Sequence, residues 1–238
     1  MQWSGEGLII GVRRHGESSV IAEIMVEGRG RVLGLVRGGR SPKLAATLQA
    51  GNLVLVTWRA RLEEHLGTMT VELTEGRAAD FIADRIRLYA SQLVCEHLRL
   101  LPERDPHDRL LGLAVHALDL GRTQLTLGAA LVSFELTLLD ELGFGLDLSS
   151  CAVTGSVEDL THVSPKTGRA VTRSAAEPYL PRLLVLPAFL VDGGGASPAD
   201  IAAGFRLTGH FLDMHVWSPR QIEPPTIRDA LVAALATA

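Results

Sequence analysis

Cysteine is nearly missing from this 238-residue chain: Cys95 and Cys151 are its only two. That is too few for a disulfide framework, so a reducing compartment is expected. Aromatic residues make up only 5%, which excludes a surface built from successive stacking platforms. Long hydrophobic runs are missing too. A membrane span needs about 18 consecutive apolar residues, and the richest stretch, 125–142, is broken by Glu135, Asp140 and Glu141. No span is predicted, and without a signal-peptide pattern the expected location is the cytoplasm. Repeats and low-complexity tracts are also absent, which argues against a solenoid or a tail. What is present is 47% apolar and 21% charged residues, enough to bury the core of one large domain or two modest ones. The formal net charge of -4 argues, taken alone, against a nucleic-acid partner.

The first 77 residues read as strands. Runs at 7–12, 19–26, 31–36, 53–62 and 67–73 are β-branched or alternating and are bounded by Gly, Asn or charged clusters, the pattern of hairpins in a small barrel. Five short strands of this size fit an OB-type Greek-key barrel. After Gly76 the period changes to that of helices. Expected helices cover 81–101, stopped by Pro102, then about 107–120, ended by Gly121, and about 127–142, ended by Gly143. Residues 144–180 break the pattern with scattered Gly and Pro and predict an extended insertion, a small ribbon. Ser197-Pro198-Ala199-Asp200 opens a further helix with a hydroxyl cap, a Pro in the first turn and an acid beside the positive helix end. A short helix after Pro225 closes the chain. The class is α+β, with a barrel over 1–77 and a helical domain over 78–238.

Chemistry finds little foothold. Gly34 to Ser41 matches a phosphate loop except that Arg40 replaces its lysine, and Pro42 pushes Ser41 to extended conformations where such a loop needs a helix to begin. Gly28-x-Gly30 lacks the third glycine of a dinucleotide fingerprint. Cys151-Ala152-Val153-Thr154 is half of a zinc knuckle whose second thiol has become a hydroxyl, and no second Cys pair completes it. The eight histidines form no metalloprotease or deaminase pattern, and no serine sits in a nucleophile elbow. His97 reads as a core imidazole, and Glu135, Asp140 and Glu141 as the solvated side of their helix. Neither an enzyme, a cofactor nor a bound metal is expected.

Charge distribution is the informative feature. Residues 1–77 carry a net +2 and the remainder -6. Within 28–62 stand Arg29, Arg31, Arg37, Arg40, Lys43, Arg59 and Arg61, and no acidic residue. Arg29, Arg31 and Arg37 share parity on one hairpin arm, as Arg59 and Arg61 do on another, so several guanidinium groups are expected on one sheet face. That makes a track for phosphates. Trp58, beside Arg59, is either a stacking platform or a core tryptophan, the residue type suiting both equally. Sparse aromatics imply binding led by the backbone, blind to sequence and sensitive to salt.

The order of these parts and several motifs resemble the RecO family of bacterial recombination mediators. The resemblance runs through 7–10 and 16–19, the 34–43 loop, the run Phe134-Glu135-Leu136-Thr137-Leu138-Leu139-Asp140-Glu141-Leu142-Gly143-Phe144-Gly145-Leu146-Asp147-Leu148, then Cys151 to Gly155 and Val163 to Val171. It implies an OB-fold followed by a helical domain with a zinc-ribbon-like insertion, degenerate here because relatives that bind zinc use four cysteines and only Cys151 stands in this chain. It also implies binding of single- and double-stranded DNA, strand annealing, and replacement of single-strand-binding protein by RecA together with RecR, at the nucleoid. The carboxy-terminal tail of single-strand-binding protein needs a basic rim beside an apolar pocket, for which Arg109 and Arg122, near Leu110, Leu113 and the 127–142 helix, are candidates. The rival reading is an OB-type module holding RNA or a protein, and a more distant one is a hydrolase using the Gly34 to Ser41 loop.

Overall fold

The computed structural model describes residues 1–62, 64–119 and 123–236. They form two compact units, Met1–Leu118 and Asp119–Ala238, each treated separately.

The first unit is built on a closed barrel of five strands in the order β1-β2-β3-β5-β4: β1 Gln2–His15, β2 Ser19–Val26, β3 Gly30–Val36, β4 Leu53–Arg59 and β5 Thr68–Glu75. Closure depends on the length of β1. Its first half pairs antiparallel with β4, from Gln2 against Arg59 to Leu8 against Leu53. Its second half pairs with β2, from Gly7 against Val26 to His15 against Ser19, with a bulge between Ile9 and Gly11. The bulge lets one strand bend from one sheet partner to the other. The last gap closes where β3 meets β5 in parallel, at Leu35 and Thr68. Strict alternation in β3 and β4 sends Val32, Val36, Val54, Val56 and Trp58 into the core with Ile9, Ile24 and Met69, as a period of two requires.

Helices α1 Pro42–Thr47, α2 Ala78–Ala83, α3 Arg85–Leu98 and α4 Asp108–Asp119 complete this unit. The compact unit therefore runs past the last barrel strand as far as Leu118. Helix α1 stands where the sequence suggests only a loop: Ser41 is extended, as the following proline dictates, and caps a helix with Pro42 in its first turn. The helix expected over 81–101 is two helices, because Asp84 takes an extended conformation (φ -125°, ψ 116°) and its carboxylate accepts from the N–H groups of Ile86 and Arg87. A short acceptor side chain competes with the helix backbone in this way. Asn52 ties these elements together. Its amide donates to the Ala46 and Thr47 carbonyls and its oxygen accepts from the Arg77 and Ala78 N–H groups, joining α1, β4 and the start of α2.

The outer face of β1 and β2 is covered as well as the inner one, since Leu8, Ile10 and Met25 are as buried as the core. The Cys95 thiol on α3 lies 3.9 Å from the Ile9 carbonyl, and Arg99 meets Glu23 at 3.0 Å. The chain then runs along the start of β3, where the Arg104 N–H donates to the Arg31 carbonyl (2.9 Å). His97 is buried with Nδ1 3.0 Å from the Leu93 carbonyl, a core imidazole.

In the second unit, α5 Gln124–Glu141, α6 Pro198–Leu212 and α7 Thr226–Ala236 pack on one another, and a small sheet of β6 Leu160–Val163, β7 Ala170–Thr172 and β8 Leu184–Val185, in the order β7-β6-β8, meets α6 through β8. Ser197 and Asp200 form the reciprocal capping box of α6, and Gly143 follows α5 in the left-handed conformation, φ +86°. Gly128 faces Ile201 and Gly204 faces Val132, so closely that a Cβ on either would come within 3 Å of the facing side chain. That closeness places a charge inside. Glu135, expected on the solvated side of α5, is 0% exposed. It accepts from Arg228 Nε (2.8 Å) and Nη2 (2.9 Å) and from the Thr208 hydroxyl. Arg228 also donates to the Phe205 carbonyl (2.6 Å) and lies over the rings of Phe205 and Trp217. The helical period marks a polar residue's position but says nothing of a cation arriving from 93 residues away, so the charge pattern of α5 misleads. Among the described residues no helix is long and apolar enough to cross a membrane.

Two measurements check this packing. Arg228→Met should cost about 3–5 kcal/mol in chemical denaturation by leaving Glu135 buried and unpaired, whereas Glu135→Leu with Arg228→Met should recover a large part of that loss. Gly30→Ala should cost at least about 2 kcal/mol, since Gly30 has φ +68° and a Cβ there would lie 1.8 Å from the Asp105 carbonyl oxygen.

Candidate nucleic-acid interface

Cross-strand partners on a sheet share a face. Following the registers along the outer face gives a row with exposed ends and a covered stretch between: exposed Arg13 opposite buried Ile21, Ile21 opposite half-buried Leu35, Leu35 opposite half-buried Thr68, and Thr68 opposite exposed Arg59. Neighbouring strands lie about 4.8 Å apart, so the row spans about 20 Å. Arginines stand at both ends, and exposed Arg37 lies in the turn that follows β3, two residues beyond Leu35. Arg13 on β1 and Arg59 on β4 sit on strands that pair directly, with Arg59 opposite Gln2, and the row joins them the other way round the barrel, through β2, β3 and β5.

The row is flanked by two loops. On one side, the β1–β2 turn that follows exposed Arg14 is fastened to Arg40 beyond β3: the Arg40 N–H donates to the Ser18 carbonyl (3.1 Å) and its guanidinium to the Glu17 carbonyl, with exposed Lys43 three residues on. On the other, the β4–β5 loop carries exposed Arg61 and is tied down by Leu35 N–H to the Gly67 carbonyl (3.0 Å) and by Trp58 Nε1 to the Leu66 carbonyl (3.0 Å). Strands 2 and 3 with these two loops are the surface on which OB barrels bind oligonucleotides. Among the described residues, none of Arg13, Arg14, Arg37, Arg40, Lys43, Arg59 and Arg61 forms an ion pair with a carboxylate.

Three residues singled out in the sequence are placed differently. Arg31 faces outward, as its parity requires, but its side chain is only 18% exposed, pairs with Glu23 and donates to the Leu101 carbonyl (2.9 Å). It fastens the segment after α3 to the barrel. Parity selects a face and is silent about what packs on it. Trp58 is 1% exposed and cannot offer a ring to a base; it belongs to the core, with Trp3 stacked on it at 5.7 Å. Arg29 is half-buried, its guanidinium 4.6 Å above the Trp3 ring. Arg13, Arg14 and Arg104 are missing from the sequence-based set. Arg13 and Arg14 stand just before the Gly16 turn, outside the acid-free stretch, and only strand pairing joins them to it. Arg109 is exposed on α4 next to buried Leu110. Arg122 lies outside the described residues, and the 127–142 segment belongs to the second unit.

The two thiols have opposite environments. Burial pushes Cys95 up to about 12, so it stays a protonated core residue. Cys151 is 2% exposed. Burial pushes its thiol up too, but hydrogen bonds from Thr154, from the Thr172 N–H (3.3 Å) and from the backbone of the 151–154 turn outweigh it and bring it down to about 6. These donors occupy the surroundings of the sulfur that further metal ligands would need, and the Thr172 hydroxyl stands 3.6 Å away. One thiol among threonines does not fit a zinc ion. Among the described residues no group of three or more His, Cys, Asp or Glu could hold a metal.

Comparison with known proteins agrees with this architecture part by part. Residues 1–77 match the sequence family described as Recombination protein O N terminal, and residues 82–221 match Recombination protein O C terminal. DNA repair protein RecO of Methylobacterium nodulans is 52% identical over 240 residues, covering 98% of this chain and 97% of that one. Those of a Chelativorans species and of Mesorhizobium japonicum are 52% and 51% identical over 238 residues, covering 99% of this chain and 96% and 94% of theirs. With a five-stranded OB barrel followed by helices and matches over nearly its whole length, this chain belongs to the RecO family of DNA repair proteins.

Proposed function

We propose that this chain is a non-enzymatic mediator that binds single- and double-stranded DNA through the barrel and lets complementary strands anneal. The observation that carries the reading is the outward row from Arg13 through Leu35 to Arg59, with Arg37, Arg40, Lys43 and Arg61 beside it. Guanidinium groups in line screen the phosphates of two strands at once, so the repulsion that keeps the strands apart falls and base pairing proceeds. No bond is made or broken by the protein. Because phosphates are alike at every position, such a surface is blind to sequence and its affinity depends on released counterions.

In the fuller cycle that the family suggests, the chain acts with RecR to help RecA replace single-strand-binding protein on DNA. The acidic tail of that protein needs a basic rim, for which Arg109 and Arg122 are the candidates. The net -6 of residues 78–238 suits such contacts, since an acidic surface avoids DNA and stays available to protein partners.

The barrel assignment is tested by Arg37→Glu with Arg40→Glu. Binding to single strands and to duplex should weaken for every sequence. The slope of log affinity against log salt should flatten by about two, one for each lost phosphate contact. Binding and slope equal to wild type in that titration would overturn the assignment.

A further inference from the structure

Beyond the arginine row, the first unit contains a small cavity of about 110 Å³ beside the β2–β3 turn, walled by Trp3, Arg29, Val32, Trp58, Arg104 and Pro106. We infer that it is a single-nucleobase site, in which an unstacked base of single-stranded DNA lies on the Trp3 ring in place of the Arg29 guanidinium. This inference rests on the DNA-binding reading above and adds to it a means of telling single strands from duplex.

Trp3, near the start of β1, is the aromatic wall of the cavity nearer the surface. Its register partner is Trp58, which is buried and fixed by its hydrogen bond to the Leu66 carbonyl. Trp58 holds the Trp3 ring from behind, with centroids 5.7 Å apart and planes 15° from parallel. The Arg29 guanidinium also lies over the Trp3 ring, 4.6 Å from the centroid. That cover differs in kind from the backing. Arg29 comes from a two-glycine turn, with φ +66° at Gly28 and +68° at Gly30, on a long side chain that makes no ion pair among the described residues. A stacked guanidinium is a planar cation on a π face, the same geometry a base adopts.

Across the cavity stands Arg104, whose backbone is held at φ +61°, a region that residues with a Cβ enter only at a cost. It is pinned there by its N–H to the Arg31 carbonyl and by its guanidinium to the His65 carbonyl, each 2.9 Å. A non-glycine residue kept in this conformation fixes the far wall and ties the β4–β5 loop to it. Acidic residues adjoin the wall as well: Asp108 accepts from the Gly28 N–H (2.7 Å) and steadies the turn, Glu27 precedes Gly28, and Asp105 stands between Arg104 and Pro106 in the chain.

These features select one ligand class. Two guanidinium groups around a flat apolar ring reject cations and suit a planar ring that carries an anion, which describes a nucleotide unit. When the base takes the Trp3 face, Arg29 is released toward the adjoining phosphate, and Arg59, exposed and next to Trp58 in β4, continues the path to the arginine row. A paired base lies within its own stack and must leave it to enter. Duplex therefore uses the row alone, while a single strand uses the row and the cavity.

The test compares binding of an oligothymidylate, an abasic strand of the same length and a duplex, using the full chain. Wild type should prefer the base-bearing strand over the abasic strand by roughly tenfold, the effect of one stacked base. Trp3→Leu should remove that preference and leave duplex affinity unchanged. Indole fluorescence gives a second readout that does not depend on how Trp3→Leu folds: the base-bearing strand should quench wild type, the abasic strand should not, and Trp3→Phe should bind normally with the quench gone. Equal affinity of wild type for base-bearing and abasic strands, or quenching that survives in Trp3→Phe, would overturn the base site and leave the arginine row intact. Failure of wild type to bind any of the three would overturn the DNA-binding reading itself.

Discussion

The first unit depends on one strand having two partners. β1 is long enough to pair with β4 in its first half and β2 in its second, and the bulge at Ile9 to Gly11 bends it between them. Everything proposed for the barrel follows from that closure. It sets Trp3 on Trp58 at one end of the strand. At the other end it carries Arg13 and Arg14 to the side where β3 finishes, from which the chain runs on to Arg37 and Arg40. Backbone pairing also holds the arginines together against their own repulsion. Ladder hydrogen bonds and the valine-rich core fix the Cα positions, and the charged side chains project from them into water, where their mutual repulsion is well screened.

The second unit solves a different problem. Its helices approach closely at Gly128 and Gly204, and Arg228 from the last helix reaches the Glu135 carboxylate inside. Such a pair adds little net stability because both charges lose their water. It does specify register: α5, α6 and α7 have one arrangement that satisfies the carboxylate, the guanidinium and the Thr208 hydroxyl together. An acidic unit with a neutralised interior places its excess charge on its surface, which is where a protein partner would meet it.

Much of this was legible in the sequence. Period-two runs placed the five strands, the capping box at Ser197 and Asp200 opened α6 as expected, and Gly143 ended α5. The basic stretch 28–62 supplies most of the arginines of the surface proposed for DNA. What failed did so for physical reasons. Arg31 was assigned to the correct face, but a face can be covered by residues 70 positions later. Trp58 was an ambiguous tryptophan, and only strand register shows that its neighbour Trp3 is the ring nearer the surface. Arg13 and Arg14 escaped notice because linear charge counting does not see pairing. Glu135 had polar neighbours along its helix, while its partner lay in another helix altogether. In each case the missing information was a contact between distant parts of the chain, which local pattern cannot encode.

On the reading proposed above, closure gathers scattered arginines so that they bring strands together. Annealing of complementary strands coated by single-strand-binding protein is the decisive assay, with Arg13→Glu and Arg59→Glu placed at the two ends of the row. Wild type should accelerate annealing, each single reversal should slow it, and the two together should abolish it while the fold, followed by thermal melting, is retained. Annealing by the folded double variant at the wild-type rate would contradict that reading.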